Sequence, residues 1–321
     1  MAAQKEATPG FMKKPEVLGT AVGVDAEKPV LIVFVDRDSS NAGQVIRDLP
    51  KDVRGVGVQV HLTDKFVAEP GKPSGTKTVS HTAVQVPPIQ LGTSGGWKAD
   101  QSNGYCCGGT LGSLISIGGT PHILSNYHVL EADIVPGANN IVAQTGDAII
   151  QPALIDLNCN PAPASTVATL VKKAALPSSN LDAAIAVVTP GMVVADGSIL
   201  GIGPLSARTL PAALRQGVKK AGRTTGMTRS SISGLNATIN VTYENECAGG
   251  VAFTKTFTGQ IVITNRDSKF LDSGDSGSLL VEDVATRPRA VGLLFAGSST
   301  SAIANPIDEV LSYFGATMVG K

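Results

Sequence analysis

From Cys107 onward the chain is written in short apolar runs: "GTLGSLISI", "HILSNYHVL", "NIVAQTGDAII", "STVATLV", "DAAIAVV", "ATINVTY", "FTGQIVIT", "SGSLLV", "RAVGLLFA" and "SAIANPI". Gly, Pro, Asn or Asp breaks each of them within a few residues. Runs of this length, rich in β-branched residues, suit half-buried strands, and many of them in succession build a β-sandwich or β-barrels. The period changes only at the end, where "PIDEVLSYFG" places apolar residues at helical spacing and predicts a C-terminal helix over about 306–315. No longer internal period points to a solenoid or propeller.

The first part of the chain reads differently. "KPVLIVFVD" is an apolar strand, "SSNAGQVIRDLP" a short helix opened by Ser and closed by Pro, and "VRGVGVQVHLT" an alternating strand. That strand, helix, strand order predicts a small α/β accessory domain over 18–67, preceded by a flexible tail over 1–17. "AEPGKPSGTKTVS", rich in Pro, Gly, Ser and Thr, opens a linker and irregular lead-in over 68–103, which leaves 104–321 as the main domain.

Composition narrows the function classes. With 42% hydrophobic and 16% charged residues the chain can bury a large core. Lys+Arg and Asp+Glu balance at 26 each, so no net field favours a nucleic acid or an anionic membrane as partner. The N-terminus has no apolar core of signal-peptide length and no run approaches a membrane span, so the expectation is a soluble, cytoplasmic protein. Cys106, Cys107, Cys159 and Cys247 are too irregularly spaced for a disulfide framework or a zinc pair, and the histidines form no ligand-spaced cluster with them. Buried free thiols are the simplest expectation, with a Cys159–Cys247 bridge the alternative in an oxidising compartment. No cofactor or metal is expected.

Chemistry concentrates in three places. "FLDSGDSGSLLV" holds Ser276 on a glycine-flanked turn where backbone N–H groups can converge, the arrangement an acyl-transfer nucleophile needs. "SNYHVL" ends an alternating run on His128, and "SSNLDAAIAVV" sets Asp182 immediately before an apolar strand. Each has a plain structural reading alone: a surface turn, a histidine satisfied by backbone, an aspartate capping a turn. Together, in the order His, Asp, Ser, they supply a nucleophile, its base and the acid that orients the base.

On these residues the sequence resembles the trypsin-like (chymotrypsin-fold) serine proteases, and "KKAGRTTGMTRSSI" from Lys219 to Ile232 looks like the opening hairpin of the second barrel in bacterial members. The resemblance implies a mainly β fold of two six-stranded antiparallel barrels, about 104–205 and 216–310, behind the α/β accessory domain. It implies a His128, Asp182, Ser276 triad, an oxyanion hole from the N–H groups of Gly274 and Ser276, and a protein or peptide as substrate. The primary pocket is expected at Phe270, with walls from Phe295, Ala296, Gly297, Ala302 and Ala304. Lacking an acid at Phe270, it should prefer small or apolar side chains over Lys or Arg. The disulfide that flanks the nucleophile in secreted members is absent, which fits a reducing compartment, and no cleavage site is evident that would supply a new N-terminus to Asp275. A homo-oligomer built through the accessory domain is compatible with the family. Two other readings stand beside the endopeptidase: a peptide-binding or scaffolding module with little turnover, and a protease that cuts mainly itself in the Ala68–Ser80 segment. Whether the oxyanion hole is already formed at rest is left open by the sequence.

Overall fold

The computed structural model describes residues 1–68, 80–102, 105–131, 141–173, 176, 178–243 and 252–321. Most of the linker expected from Ala68 to Ser80, and Cys247, lie outside them. The chain begins with α1 (Ala2–Phe11), within the segment expected as a tail, followed by β1 (Val17–Asp25), β2 (Lys28–Asp36), α2 (Ala42–Asp48), β3 (Asp52–Val53), β4 (Val56–Thr63) and β5 (Phe66–Ala68). β2 and β4 run parallel across the α2 crossover, as the strand, helix, strand pattern requires. Alternation along β2 sends Leu31, Val33 and Val35 into a core under α2 with Val45 and Leu49. Ile32 and Phe34 face the other way, into a cluster shared with Tyr127, Tyr243 and Phe295. Burying those two side chains contributes roughly 3–6 kcal/mol, enough to bind this unit firmly to the rest of the molecule.

The first barrel is built from β6 (Thr93–Trp97), a small hairpin of β7 (Gln101–Ser102) and β8 (Tyr105–Cys106), then β9 (Gly109–Leu111), β10 (Ser113–Ile117), β11 (Thr120–Ser125), the short helix α3 (Tyr127–Leu130), β12 (Ala148–Gln151), β13 (Ser165–Val171) and β14 (Ala184–Val188). Pairing runs β10, β11, β14, β13, β12, β6, β9. β9 and β10 are one strand bent at Gly112, whose N–H still bonds Leu124 O at 3.0 Å, so the sheet returns on itself as a six-stranded barrel.

The second barrel contains β15 (Gly217–Gly222), β16 (Gly226–Tyr243), β17 (Phe253–Thr264), β18 (Leu279–Glu282), β19 (Ala290–Gly297) and β20 (Ser301–Pro306), with α4 (Ile307–Phe314) and β21 (Thr317–Met318) closing the chain. These strands pair antiparallel in the order β15, β18, β19, β20, β17, β16, and β15 pairs with β16 to close the ring. α4 buries Ile307, Val310, Leu311 and Phe314, one helical stripe, and stops at Gly315 in the left-handed region (φ 64°). β1 pairs antiparallel with the long strand β16, so the N-terminal strands extend the second barrel's sheet. The fold is mainly β, with two antiparallel barrels and an α/β unit at the N-terminus. Among the described residues no helix is long and apolar enough to cross a membrane.

The cysteines depart from both expectations. Cys106 on β8 is bonded to Cys159, with Cα atoms 5.5 Å apart, and Cys107 is also disulfide-bonded. The bridge joins a strand end to a turn in which Asn158 and Cys159 both have positive φ. Nothing in the local spacing signals this pairing across 53 residues, because tertiary folding alone brings the two segments together.

Candidate active site

β11 and β14 are antiparallel neighbours with Ser125 opposite Ala184. The residues that follow one and precede the other therefore meet, which brings His128 on α3 to Asp182. His128 Nδ1 lies 2.6 Å from Asp182 Oδ2. Asp182 Oδ1 accepts the backbone N–H of Tyr127 at 2.8 Å and of His128 at 3.3 Å, and Oδ2 also accepts the Tyr243 hydroxyl at 2.8 Å. The carboxylate is fully buried, so four donors replace the water it has lost. Its backbone is held as well: Asp182 N donates to Asn305 Oδ1 at 3.0 Å, and Asn126 Nδ2 donates to Asp182 O at 2.7 Å. His128 Nε2, buried on the far side of the ring, has no hydrogen-bond partner among the described residues.

Ser276 sits on the turn between Asp272 and β18. Asp275 N donates to Asp272 O, Ser278 N to Asp275 O and Gly277 N to Leu294 O, whereas the N–H groups of Gly274 and Ser276 donate to no described residue. Thr224 Oγ1 donates to Ser273 O at 2.5 Å and Thr110 Oγ1 to Gly274 O at 3.0 Å, fixing the peptides on both sides of Gly274. Gly274 (φ 90°) and Gly277 (φ 91°) adopt backbone that side chains resist, and a Cβ on Gly277 would collide with Ser125 Oγ and Thr110 O. The turn therefore presses directly on β9 of the first barrel, whose Thr110 N bonds Ser276 O at 2.9 Å. Ser276 Oγ makes one long contact, 3.4 Å to Phe295 O.

Beneath the turn lies a buried ion pair. Lys220 Nζ is 2.8 Å from Asp275 Oδ2 with both side chains fully buried. Thr224 N, Thr225 N, Thr225 Oγ1 and Asp272 N complete the carboxylate's shell. Burial pushes the Asp275 carboxyl up, but Lys220 and the Thr225 donors outweigh it and hold it below the usual carboxylate range. The chain's own lysine thus satisfies the aspartate beside Ser276, a role the hairpin sequence around Lys219 does not advertise.

A cavity of about 100 Å³ opens beside Ser276, lined by Leu271, Asp272, Ser273, Gly297, Ser298 and Ser299 together with Asp64, Lys65 and Val67 from the N-terminal unit. Of the pocket residues expected from sequence, Gly297 lines it. Phe270, Ala302 and Ala304 pack instead in a buried cluster with Leu271 and Leu294, and Phe295 and Ala296 pack with Tyr243 and Phe257. The lining is more polar than expected and includes a carboxylate from Asp272. β5 lies across this cleft: Val67 pairs antiparallel with Gly297, and Phe66 to Ala68 run parallel to Val241 to Tyr243. Asp64 accepts Ser299 N and Oγ, and Thr63 Oγ1 donates to Ser298 Oγ, which fastens this segment to the cleft wall. Among the described residues no group of His, Cys, Asp and Glu is arranged to hold a metal.

No family model and no curated protein matches the chain. Similar solved structures include a glutamic acid-specific serine protease (19% identity, 72% of this chain and 100% of that one, TM-score 0.46). Protease A of Thermobifida fusca (20%, 73% and 99%, TM-score 0.46) and the chymotrypsin of Cellulomonas bogoriensis (18%, 73% and 99%, TM-score 0.45) are similar in the same degree. The two closed antiparallel barrels, with an α/β unit ahead of them, are the mainly β architecture that the sequence resemblance implies.

Proposed function

We propose that the chain is a serine endopeptidase in which Ser276 is the nucleophile, His128 its base and Asp182 the residue that orients the base. One observation carries this reading: His128 gives Nδ1 to a buried carboxylate and keeps a buried Nε2 without a hydrogen-bond partner, while Ser276, whose Oγ bonds Phe295 O and not His128, sits on a turn whose Gly274 and Ser276 N–H groups donate to no described residue. Ser276 Oγ attacks the carbonyl carbon of an extended peptide as its proton passes to His128 Nε2. The oxyanion is held by the N–H groups of Gly274 and Ser276, each such donor accounting for on the order of 10²–10³ in rate. The C–N bond then breaks, His128 protonates the leaving amine, and water, deprotonated by the same nitrogen, releases the acyl group. Because Thr224 and Thr110 fix the peptides around Gly274, and Lys220 satisfies Asp275, the oxyanion hole forms without a newly cut N-terminus.

The test is labelling with a fluorophosphonate probe, wild type beside Ser276→Ala and His128→Ala. Labelling of wild type lost in both variants supports the endopeptidase. Absence of labelling in wild-type protein shown to be folded leaves a peptide-binding module as the better reading.

The placement of β5 favours a second, compatible reading. A peptide reaches Ser276 by adding to the open edge of β19 at Gly297, and this is where Val67 lies. The chain's own segment is then the first peptide the cleft meets, and the residues after Ala68 are the first candidates for cleavage. Mass spectrometry decides it: a fragment ending within 68–80 in wild type and missing in Ser276→Ala supports self-cleavage, while an intact wild type argues for a strand that only occupies the cleft. The disulfide-bonded cysteines favour an oxidising compartment over the cytoplasmic location expected from sequence.

A further inference from the structure

We propose that Tyr243 is a positioning residue for the reaction: its hydroxyl, donated to Asp182 Oδ2, shares that oxygen with His128 Nδ1 and so sets how strongly the aspartate holds the imidazole. The inference rests on the endopeptidase reading above and adds a fourth side chain to it.

The geometry is specific. Tyr243 Oη is 2.8 Å and His128 Nδ1 2.6 Å from the same carboxylate oxygen, while the other oxygen is taken by two backbone N–H groups. A carboxylate has about four acceptor sites, and all are filled here. The neighbouring amides do not compete, since Asn305 accepts from Asp182 N and Asn126 donates to Asp182 O. The hydroxyl arrives from the second barrel, at the end of β16, whereas Asp182 and His128 belong to the first. Its aim is fixed by packing: the ring stacks on Phe253 (centroids 4.9 Å, planes 8° apart) and meets His128 edge-on at 6.0 Å. The strand that carries it is paired on both sides, Tyr243 with Phe253 of β17 and with Ala68 of β5. Burial, together with the Asp182 charge and this hydrogen bond, raises the phenol well above its ordinary value, so it remains a donor throughout the working range.

Two donors on one oxygen divide its charge. With the hydroxyl removed, Oδ2 concentrates its charge on His128 Nδ1–H, that bond tightens, and the protonated ring becomes easier to form but slower to give its proton to the leaving amine, the step that then limits turnover. Tyr243→Phe deletes the hydroxyl and keeps the ring. It is expected to lower kcat by about 10- to 100-fold, the range for a hydrogen bond to a charged group, with KM unchanged because Tyr243 does not line the cavity. The acid limb of the kcat/KM profile should move to higher pH. A readout independent of turnover is the proton NMR signal of the His128 Nδ1–H, expected further downfield in Tyr243→Phe, and this holds whether or not wild type cleaves a peptide. Tyr243→Leu, which removes ring and hydroxyl, is the control for packing. Wild-type kcat, acid limb and Nδ1–H signal in Tyr243→Phe, with loss only in Tyr243→Leu, would overturn the proposal and leave Tyr243 a packing residue. A shifted signal in a wild-type background that never labels or cleaves would uphold the hydrogen-bond role while removing the endopeptidase reading.

Discussion

Two fully buried aspartates lie on either side of the candidate nucleophile, and the chain satisfies them by opposite means. Asp275 is met by a cation, Lys220, and by donors from Thr224, Thr225 and Asp272. Asp182 is met by neutral donors and by one ring that can acquire a proton, His128. A fixed counter-ion cancels the field of the first and makes it a structural anchor for the Ser276 turn. The second keeps its field for the moment a positive charge appears on the imidazole. The lesson is that burial of a carboxylate says little about its role until the charge state of its partners is known.

Changes on the Asp182 side test the reserved charge. Asp182→Asn keeps most of the shape but reverses the tautomer it supports, and turnover should fall on the order of 10⁴-fold with little change in denaturation midpoint. An equal loss of stability would mean that Asp182, like Asp275, serves the fold. On the other side, Lys220→Met leaves Asp275 buried without a counter-ion and should cost about 3–5 kcal/mol in urea unfolding. If the loss were below 1 kcal/mol, the pair would not be the anchor described. Thr225→Val removes a smaller part of the same shell and should cost about 1–3 kcal/mol. The mildest probe is acid. A carboxyl held below its ordinary value stabilises the fold at pH above that value and loses this contribution as pH falls through the lowered one. Stability contributed by the pair should therefore persist to roughly pH 4 and decline below it, and Lys220→Met should flatten that decline. Identical pH profiles for the two proteins would separate Asp275 from the acid transition.

Local patterns announced a good deal of this molecule. Most of the apolar runs became strands, although "HILSNYHVL" turns into α3 at Tyr127 and "NIVAQTGDAII" pairs only from Ala148; "PIDEVLSYFG" became α4, and β2, α2 and β4 follow the order read in "KPVLIVFVD", "SSNAGQVIRDLP" and "VRGVGVQVHLT". What escaped was set by partners far away in the chain. Gly19 pairs with Ile239 and Val67 with Gly297, and neither strand's residues name their partner. Phe270, Ala302 and Ala304 were harder to place for a related reason: they are apolar enough for a binding pocket and equally suited to the buried cluster in which they pack, and only packing decides between the two. Lys220 and Tyr243 were hidden because a buried lysine or phenol becomes meaningful only once the carboxylate opposite it is known.

The pairing of β1 with β16 also dictates an order of assembly. β1 leaves the ribosome well before its partner edge on β16. Until residues 226–243 emerge, β1 presents an unpaired edge, which is open to foreign strands. Completion of the second barrel is thus the event that retires this hazard, and the same event lays β5 into the cleft. A chain interrupted before that point would expose its N-terminal strands, whereas a finished one would emerge with its site already covered.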